Sequence, residues 1–145
     1  IAAKLAERYG NHPRLCLWHI GNEYGHDECY SEITEAAFRE WLKGQFPSLD
    51  ELNRRWGTTF WAQTFRSWDE IEIPRPGIGN CSIMGLNNAW FRFNSHLTFE
   101  AIREQIAAIQ PLSPKVPSIA NFYWWFSALD FSQLPDELDY VSWDT

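Results

Sequence analysis

Two adjacent side chains carry most of the chemistry this sequence offers: the Asn22-Glu23 pair that closes the stretch Trp18-His19-Ile20-Gly21-Asn22-Glu23. A carboxyl group can give and take a proton near neutral pH when its surroundings retune it, and an amide beside it can hold a hydroxyl. The pair follows an apolar run that begins at Leu15, so the carboxylate stands where the chain has just left a core. A solvated Glu after a strand is the ordinary alternative. Two more polar-aromatic pairs, Asn121-Phe122 and Trp143-Asp144, follow apolar runs in the same manner. In a parallel α/β fold the C-terminal ends of the strands converge on one face, so one rule brings all three pairs to a single mouth, with Glu23 as the candidate catalytic group.

The elements that must position these residues are legible as an alternation. Residues 2–9 read as a helix, closed by the turn Gly10-Asn11-His12-Pro13. Leu15 to Ile20 is short and nearly all apolar, as suits a strand buried on both faces, with Trp18 and His19 as filling. Ala37, Phe38, Trp41, Leu42 and Phe46 recur at helical spacing, predicting a helix over Thr34 to Gln45. Ser48-Leu49-Asp50-Glu51 has the form of a capping box, opening a helix that carries Leu49, Leu52 and Trp56 and ends at Gly57. Residues 58–87, rich in aromatics, Pro and Gly, have no sustained period and read as a long ordered excursion.

A long helix is predicted from Asn88 to Ile109, its apolar stripe passing from Trp90, Phe93 and Leu97 to Phe99, Ile102, Ile106 and Ile109 on another face, so that it must be bent or buried on more than one side. Strands follow at Val116 to Ala120 and Tyr140 to Ser142, with a short helix near Phe131 to Leu138 between them. Crossovers of this kind mean a parallel sheet with helices outside, an α/β architecture. Three strands with two open edges are too few for a finished domain, and the chain opens on Ile1 within a helix, so residues 1–145 are expected to be the central part of one domain, truncated at both ends.

Composition narrows the partners. Aromatic residues are 17% of the chain, nine of them Trp, more than a small core needs and common where apolar faces meet sugars. The net charge of −7, without a Lys/Arg cluster, argues against a nucleic-acid or anionic-membrane partner. No stretch approaches the ~20 apolar residues of a membrane span. Cys16, Cys29 and Cys81 are odd in number and lack CxxC spacing, so reduced thiols and a cytoplasmic location are expected.

The NEYG tetrapeptide (Asn22 to Gly25), AFREWLK, LDELNRRWGTTFWAQ, the Trp68-Asp69-Glu70-Ile71 stretch and the closing DYVSWDT together resemble family 42 of the glycoside hydrolases, the β-galactosidases of the retaining barrel clan, from about Leu5 to Thr145. The Leu52 to Gln63 stretch is the most specific. The resemblance implies a partial (β/α)8 TIM barrel, from the helix before the fourth strand to the end of the sixth, and release of terminal β-D-galactose by double displacement. It implies Glu23 as general acid/base, Asn22 on the sugar 2-hydroxyl, Trp61 in the wall of the sugar site and Asp144 at a structural or substrate-contacting position, while Asn121 lines the mouth by its position after a strand and is the remaining candidate substrate contact. A galactoside is the expected partner, with no cofactor, in a parent homotrimer where a neighbouring subunit can complete the wall near Trp61. A related β-glycosidase such as an α-L-arabinopyranosidase, or a non-catalytic sugar-binding module, are the alternatives.

Two departures follow. The nucleophile of the family ends the seventh strand, so it is expected beyond Thr145, and the isolated chain is expected to be inactive. Asp69, Glu70 and Glu72 are read as solvated loop charges, not as substitutes. Many relatives carry a CxCxxC zinc cluster after NEYG. Here Ser31 and Thr34 stand at the second and third positions beside Cys29, so no metal is expected.

Overall fold

Serine hydroxyls and one left-handed glycine punctuate the middle of the chain. The computed structural model describes residues 1–24, 28–75, 83–123 and 129–144, without the side chains of Trp61, Tyr123 and Asp144. Helix α1 spans Ala2–Tyr9, α2 Glu32–Gln45, α3 Leu49–Trp56 and α4 Met84–Ile109, with strands β1 at Trp18–His19, β2 at Ser118–Tyr123 and β3 at Tyr140–Asp144. Ser31 Oγ accepts from Thr34 N–H at 3.2 Å, which starts α2 earlier than its apolar stripe alone requires. Ser48 Oγ accepts from Glu51 N–H at 3.2 Å, and Gly57, at φ 63°, ends α3 in the left-handed conformation that glycine adopts without penalty. The capping box is observed in this half only. Glu51 is held by Arg54 and then Arg55, whose hydrogen bonds keep its carboxyl well below the usual carboxylate range.

The chain divides into two compact units, Ile1–His26 with Asn94–Thr145, and Asp27–Phe93. In the second unit Phe38, Leu42, Leu52, Ile71, Ile73, Leu86, Trp90 and Phe93 form the core, Phe38 meeting Trp90 edge-on at 5.3 Å. Residues 58–75 pack through single 3₁₀ turns at Phe60–Ala62 and Trp68–Glu70, as an ordered excursion should. Residues 76–82, Cys81 among them, lie outside the described residues. One buried side chain organises the loop after α3. Asn53 Oδ1 accepts from Phe65 N–H at 3.0 Å and from Thr58 Oγ1 at 2.7 Å, while its Nδ2 donates to Phe65 O at 2.8 Å. An asparagine can match an N–H and a C=O at once, so it takes the place of a strand partner for Phe65.

In the first unit the sheet is parallel, in the order β1-β2-β3, as expected for α/β. Trp18 pairs with Ser118 and His19 with Ile119. On the other side of β2 the pairs run from Ile119↔Tyr140 to Tyr123↔Asp144. Alternation then sorts the side chains: Ile20, Ala120, Phe122 and Val141 pack with Phe99, Ile102 and Ile106 of α4, while His19, Asn121 and Ser142 belong to the opposite face. β1 is shorter than Leu15 to Ile20, and the expectation of burial on both faces is corrected: Leu17 and His19 are exposed. The ladder starts where β2 starts, with Trp18 N–H on Pro117 O at 2.9 Å, and ends where β1 leaves the sheet, with Ile20 N–H on Ile119 O at 2.7 Å. β2 starts at Ser118, not Val116, and the expected helix near Phe131 is one 3₁₀ turn, Phe131–Gln133.

Polar contacts fix the N-terminal ends of the strands. Trp18 Nε1 donates to Ser113 Oγ at 3.0 Å, whose own hydroxyl donates to Gly10 O at 2.9 Å. Asp139 accepts from Ser118 N–H at 2.7 Å and from Ser118 Oγ at 3.1 Å. α4 begins four residues before Asn88 and serves both cores, as its two stripes require. From Phe93 to Phe99 the helix turns by about 240°, which moves the stripe to a new face and leaves Leu97 exposed.

Replacing Asn53 with Ala strips two backbone partners and a hydroxyl from one buried position, at a cost of about 1–3 kcal/mol for the groups left unsatisfied. Hydrogen exchange in the full-length protein should show the Phe65 amide opening at least ~5-fold more often, with the α1 amides unchanged. Unchanged exchange at Phe65 would refute the bridging role.

Candidate functional site

The site is built on how β1 ends. Ile20 is the last residue tied to the sheet, and Gly21 follows at φ 68°. Two demands meet at Gly21: the positive φ, and the Tyr24 ring lying where a Cβ would stand, the nearest atom at 2.2 Å. The Tyr24 hydroxyl accepts from Gln105 Nε2 of α4 at 2.7 Å, so the turn closes against the helix within the same unit. Asn22 is exposed and Glu23 is half-buried.

Glu23 has φ 51°, one of two described non-glycine residues in the left-handed region; the other is Ala62, next to Trp61. A residue with a Cβ held there costs on the order of 1–3 kcal/mol and persists where its surroundings over-determine it. Here the surroundings include Asn121, whose Oδ1 accepts from Glu23 N–H at 3.2 Å and lies 2.9 Å from His19 Nε2. Asn121 is 6% exposed.

The sequence-derived site residues are therefore only partly gathered. Asn22, Glu23 and Asn121 come together at the C-terminal side of β1 and β2. Asn121 lies within β2, not after it, and Phe122, expected at the mouth, is fully buried on the helix side of the sheet. Asp144 ends β3 in register with Tyr123. Trp61 sits in the 3₁₀ turn of the other unit, on the loop that Asn53 braces. The aromatics Trp124, Trp125 and Phe126 lie outside the described residues. Asp69 and Glu72 are exposed, and Glu70 accepts from Arg66 N–H at 2.6 Å, as solvated or locally bonded loop charges do.

His19 is the residue sequence reasoning undervalued. The sequence reading takes it as barrel filling; in this three-stranded sheet, with β1 at the edge, it is exposed, and it bonds Asn121. The period of two along strands puts His19 and Asn121 on one face, but only the register between β1 and β2 makes them neighbours.

Beside Cys29, the two positions where the resemblance implies further zinc ligands carry hydroxyls, Ser31 and Thr34. Among the described residues no group of three or more His, Cys, Asp or Glu side chains is placed to hold a metal, and Ser31 Oγ is engaged as the cap of α2. Cys29 is an exposed free thiol whose Sγ lies 3.5 Å from Ser31 Oγ. Hydrogen bonds from the Ser31 hydroxyl, then the Thr34 hydroxyl, then the Ser31 backbone favour the thiolate and lower its pKa to about 7.

A parallel α/β sheet with a strained Asn-Glu pair leaving one strand is the kind of strand-end site found in α/β enzymes. The comparisons with known proteins give the family. The profile of the Beta-galactosidase family, glycoside hydrolase family 42, matches residues 1–145, and the chain belongs to that family. It is 42% identical over 145 residues to the β-galactosidase BglY of Alicyclobacillus acidocaldarius, and 42% identical to the β-galactosidase GanA of Bacillus subtilis across 97% of this chain. Among solved structures it is similar to the cold-adapted β-galactosidase of Rahnella sp. R3, with a TM-score of 0.93 at 38% identity over 99% of the chain. The β-galactosidase of Bacillus circulans sp. alkalophilus gives 0.92 at 36%, again over 99% of the chain. The chain spans about a fifth of each: 21% of BglY, 22% of GanA, 21% of the Rahnella chain and 22% of the Bacillus circulans chain. No helix among the described residues is long and apolar enough to cross a membrane.

Alkylation of Cys29 by iodoacetamide should rise with a midpoint near pH 7, below the ~8.5 of an ordinary thiol. Ser31→Ala removes the largest cause and should move the midpoint upward. Elemental analysis of the full-length protein should find no stoichiometric zinc lost on Cys29→Ser; one such zinc per chain would overturn the account of this loop.

Proposed function

We propose that this chain carries the acid/base half of a retaining β-galactosidase site. The single observation that supports it most is the Asn22-Glu23 pair leaving β1, with Glu23 in a left-handed conformation braced by Asn121, in a chain of the β-galactosidase family. On this proposal residues 1–145 are the central part of one catalytic (β/α)8 barrel. β1, β2 and β3 are its fourth, fifth and sixth strands, and the face bearing His19, Asn121 and Ser142 is the one the closed barrel turns inward. That accounts for polar residues on the face opposite the helix-packed core.

The chemistry follows from the two carboxylates such a reaction needs. Glu23, protonated at first, gives its proton to the departing glycosidic oxygen while a second carboxylate, ~5–5.5 Å away, attacks the anomeric carbon. The leaving alcohol departs and a covalent glycosyl-enzyme remains. Glu23, now a carboxylate, then takes a proton from the water that breaks that bond, freeing the sugar and restoring both groups. The second carboxylate lies outside residues 1–145. Asn22, exposed beside Glu23, is assigned to the sugar 2-hydroxyl, and Trp61 and Asp144 to the walls of the sugar site.

Glu23→Gln in the full-length enzyme should lower turnover on unactivated galactosides by at least ~10²–10⁴-fold, the loss expected when a general acid goes. Aryl galactosides with good leaving groups should form the glycosyl-enzyme nearly as before, and azide should release it as β-galactosyl azide. Near wild-type turnover on lactose would remove Glu23 from the mechanism.

A further inference from the structure

We infer that Asn121 and His19 form a positioning pair for Glu23: the Asn121 amide, oriented by the His19 imidazole, holds the Glu23 main chain in its left-handed conformation and so sets where the carboxyl group meets the leaving oxygen. The inference rests on Glu23 being the acid/base. Its geometry starts from one fact about donors. The Glu23 N–H can only donate, so the Asn121 atom facing it at 3.2 Å must be the oxygen, which fixes the orientation of the amide. The same oxygen is 2.9 Å from His19 Nε2, so that nitrogen must carry a hydrogen and donate it. One carbonyl oxygen thus accepts from two donors, one on the strand carrying Glu23 and one on Glu23 itself.

The arrangement suits positioning more than it suits binding. Asn121 is buried within β2 and is paired with Ser142 of β3, so its backbone is held by the sheet on that side, two residues beyond the last β1 pair at Ile119. Its contact is to the main chain of Glu23, at the residue where the turn departs from ordinary backbone geometry. Gly21 and Tyr24 set the path of the turn, and Asn121 sets the rotation at Glu23. Displacing an acid/base by about 1 Å is enough to cost on the order of 10²-fold in rate. Asn121 is accordingly a positioning residue and His19 its orienter.

The test uses the full-length enzyme with Asn121→Leu, which keeps the volume and removes the acceptor, with His19→Phe and His19→Gln, and with Glu23→Gln measured alongside. Each is assayed on methyl β-galactoside and 2,4-dinitrophenyl β-galactoside, with and without azide. Asn121→Leu should lower kcat on the methyl galactoside by about 10²-fold, with little change in KM, lose much less on the dinitrophenyl substrate, and respond to azide there. His19→Phe should show the same dependence on the leaving group at smaller size, and His19→Gln, whose amide N–H can replace the imidazole donor, should recover part of it. Equal losses on both substrates, or a rise in KM with kcat unchanged, overturn the inference while Glu23→Gln keeps its own leaving-group dependence. If Glu23→Gln shows no such dependence, the acid/base assignment falls instead. Should Asn121→Leu fail to fold, His19→Phe decides, and a wild-type ratio of the two rates overturns the pair.

Discussion

The site depends on the register between β1 and β2, a ladder only two residue pairs long. Trp18 opposite Ser118 and His19 opposite Ile119 place Ile20 at the last shared hydrogen bond and bring Glu23 N–H over Asn121. A slip of one residue would send His19 and Asn121 to opposite faces and take the acceptor away from the turn. So short a ladder is weak by itself, and the sequence supplements it at the other end of the strands. Ser113 holds the Trp18 indole against the Gly10 carbonyl, and Asp139 caps the start of β2 through Ser118. These bonds lie away from Glu23, yet they determine which face Asn121 presents, because register is a property of the whole strand.

Local signals were read well wherever their cause was local. Ser48 and Gly57 bound α3 as their types require, because a cap needs only its own helix end. The two stripes of α4 require burial on more than one side, and Trp90 and Phe93 lie in one core while Phe99, Ile102, Ile106 and Ile109 lie in the other, with Leu97 between them exposed. The parallel order of three strands also followed from the spacing of apolar runs. What the sequence hid was set by competition between partners, on the same helix or distant along the chain. Glu51 lost its half of the capping box to Arg54 and Arg55, since a charged pair on the same helix outcompetes a return to the backbone. The sequence puts Asn121 after a strand because the apolar run stops at Ala120, but pairing with β3 carries β2 on to Tyr123. The contact of His19 with Asn121 is visible only once the register is known.

The LNxxWGTxFWxQ stretch has the same lesson in physical form. Within it Asn53 reaches over the helix end to bond both backbone groups of Phe65 and the Thr58 hydroxyl. Those bonds close the loop that carries Trp61, and Gln63 N–H completes it on Thr58 O at 2.8 Å. Ala62 is left at φ 55° in the middle. Both proposed sugar-site regions, Glu23 and the Trp61 loop, thus pair a left-handed non-glycine residue with a buried asparagine that accepts from the backbone. An asparagine suits this because one planar group can satisfy donors whose geometry no regular ladder supplies.

Ser31 shows what a hydroxyl does at a position where the resemblance implies a zinc ligand. Its hydroxyl accepts from Thr34 N–H, lies 3.0 Å from Thr34 Oγ1, and is within reach of the Cys29 thiol. The two residues at the positions where the resemblance implies zinc ligands are therefore committed to the first turn of α2. A cap and a metal ligand make different demands on a side chain: the cap needs an oxygen directed at N–H groups of its own helix, while a thiolate ligand must point away toward a shared ion. Substituting one for the other ties the loop to α2 through hydrogen bonds alone. The same hydroxyls then stabilise the charge of the remaining Cys29, so its lowered pKa follows from the capping geometry and requires no metal.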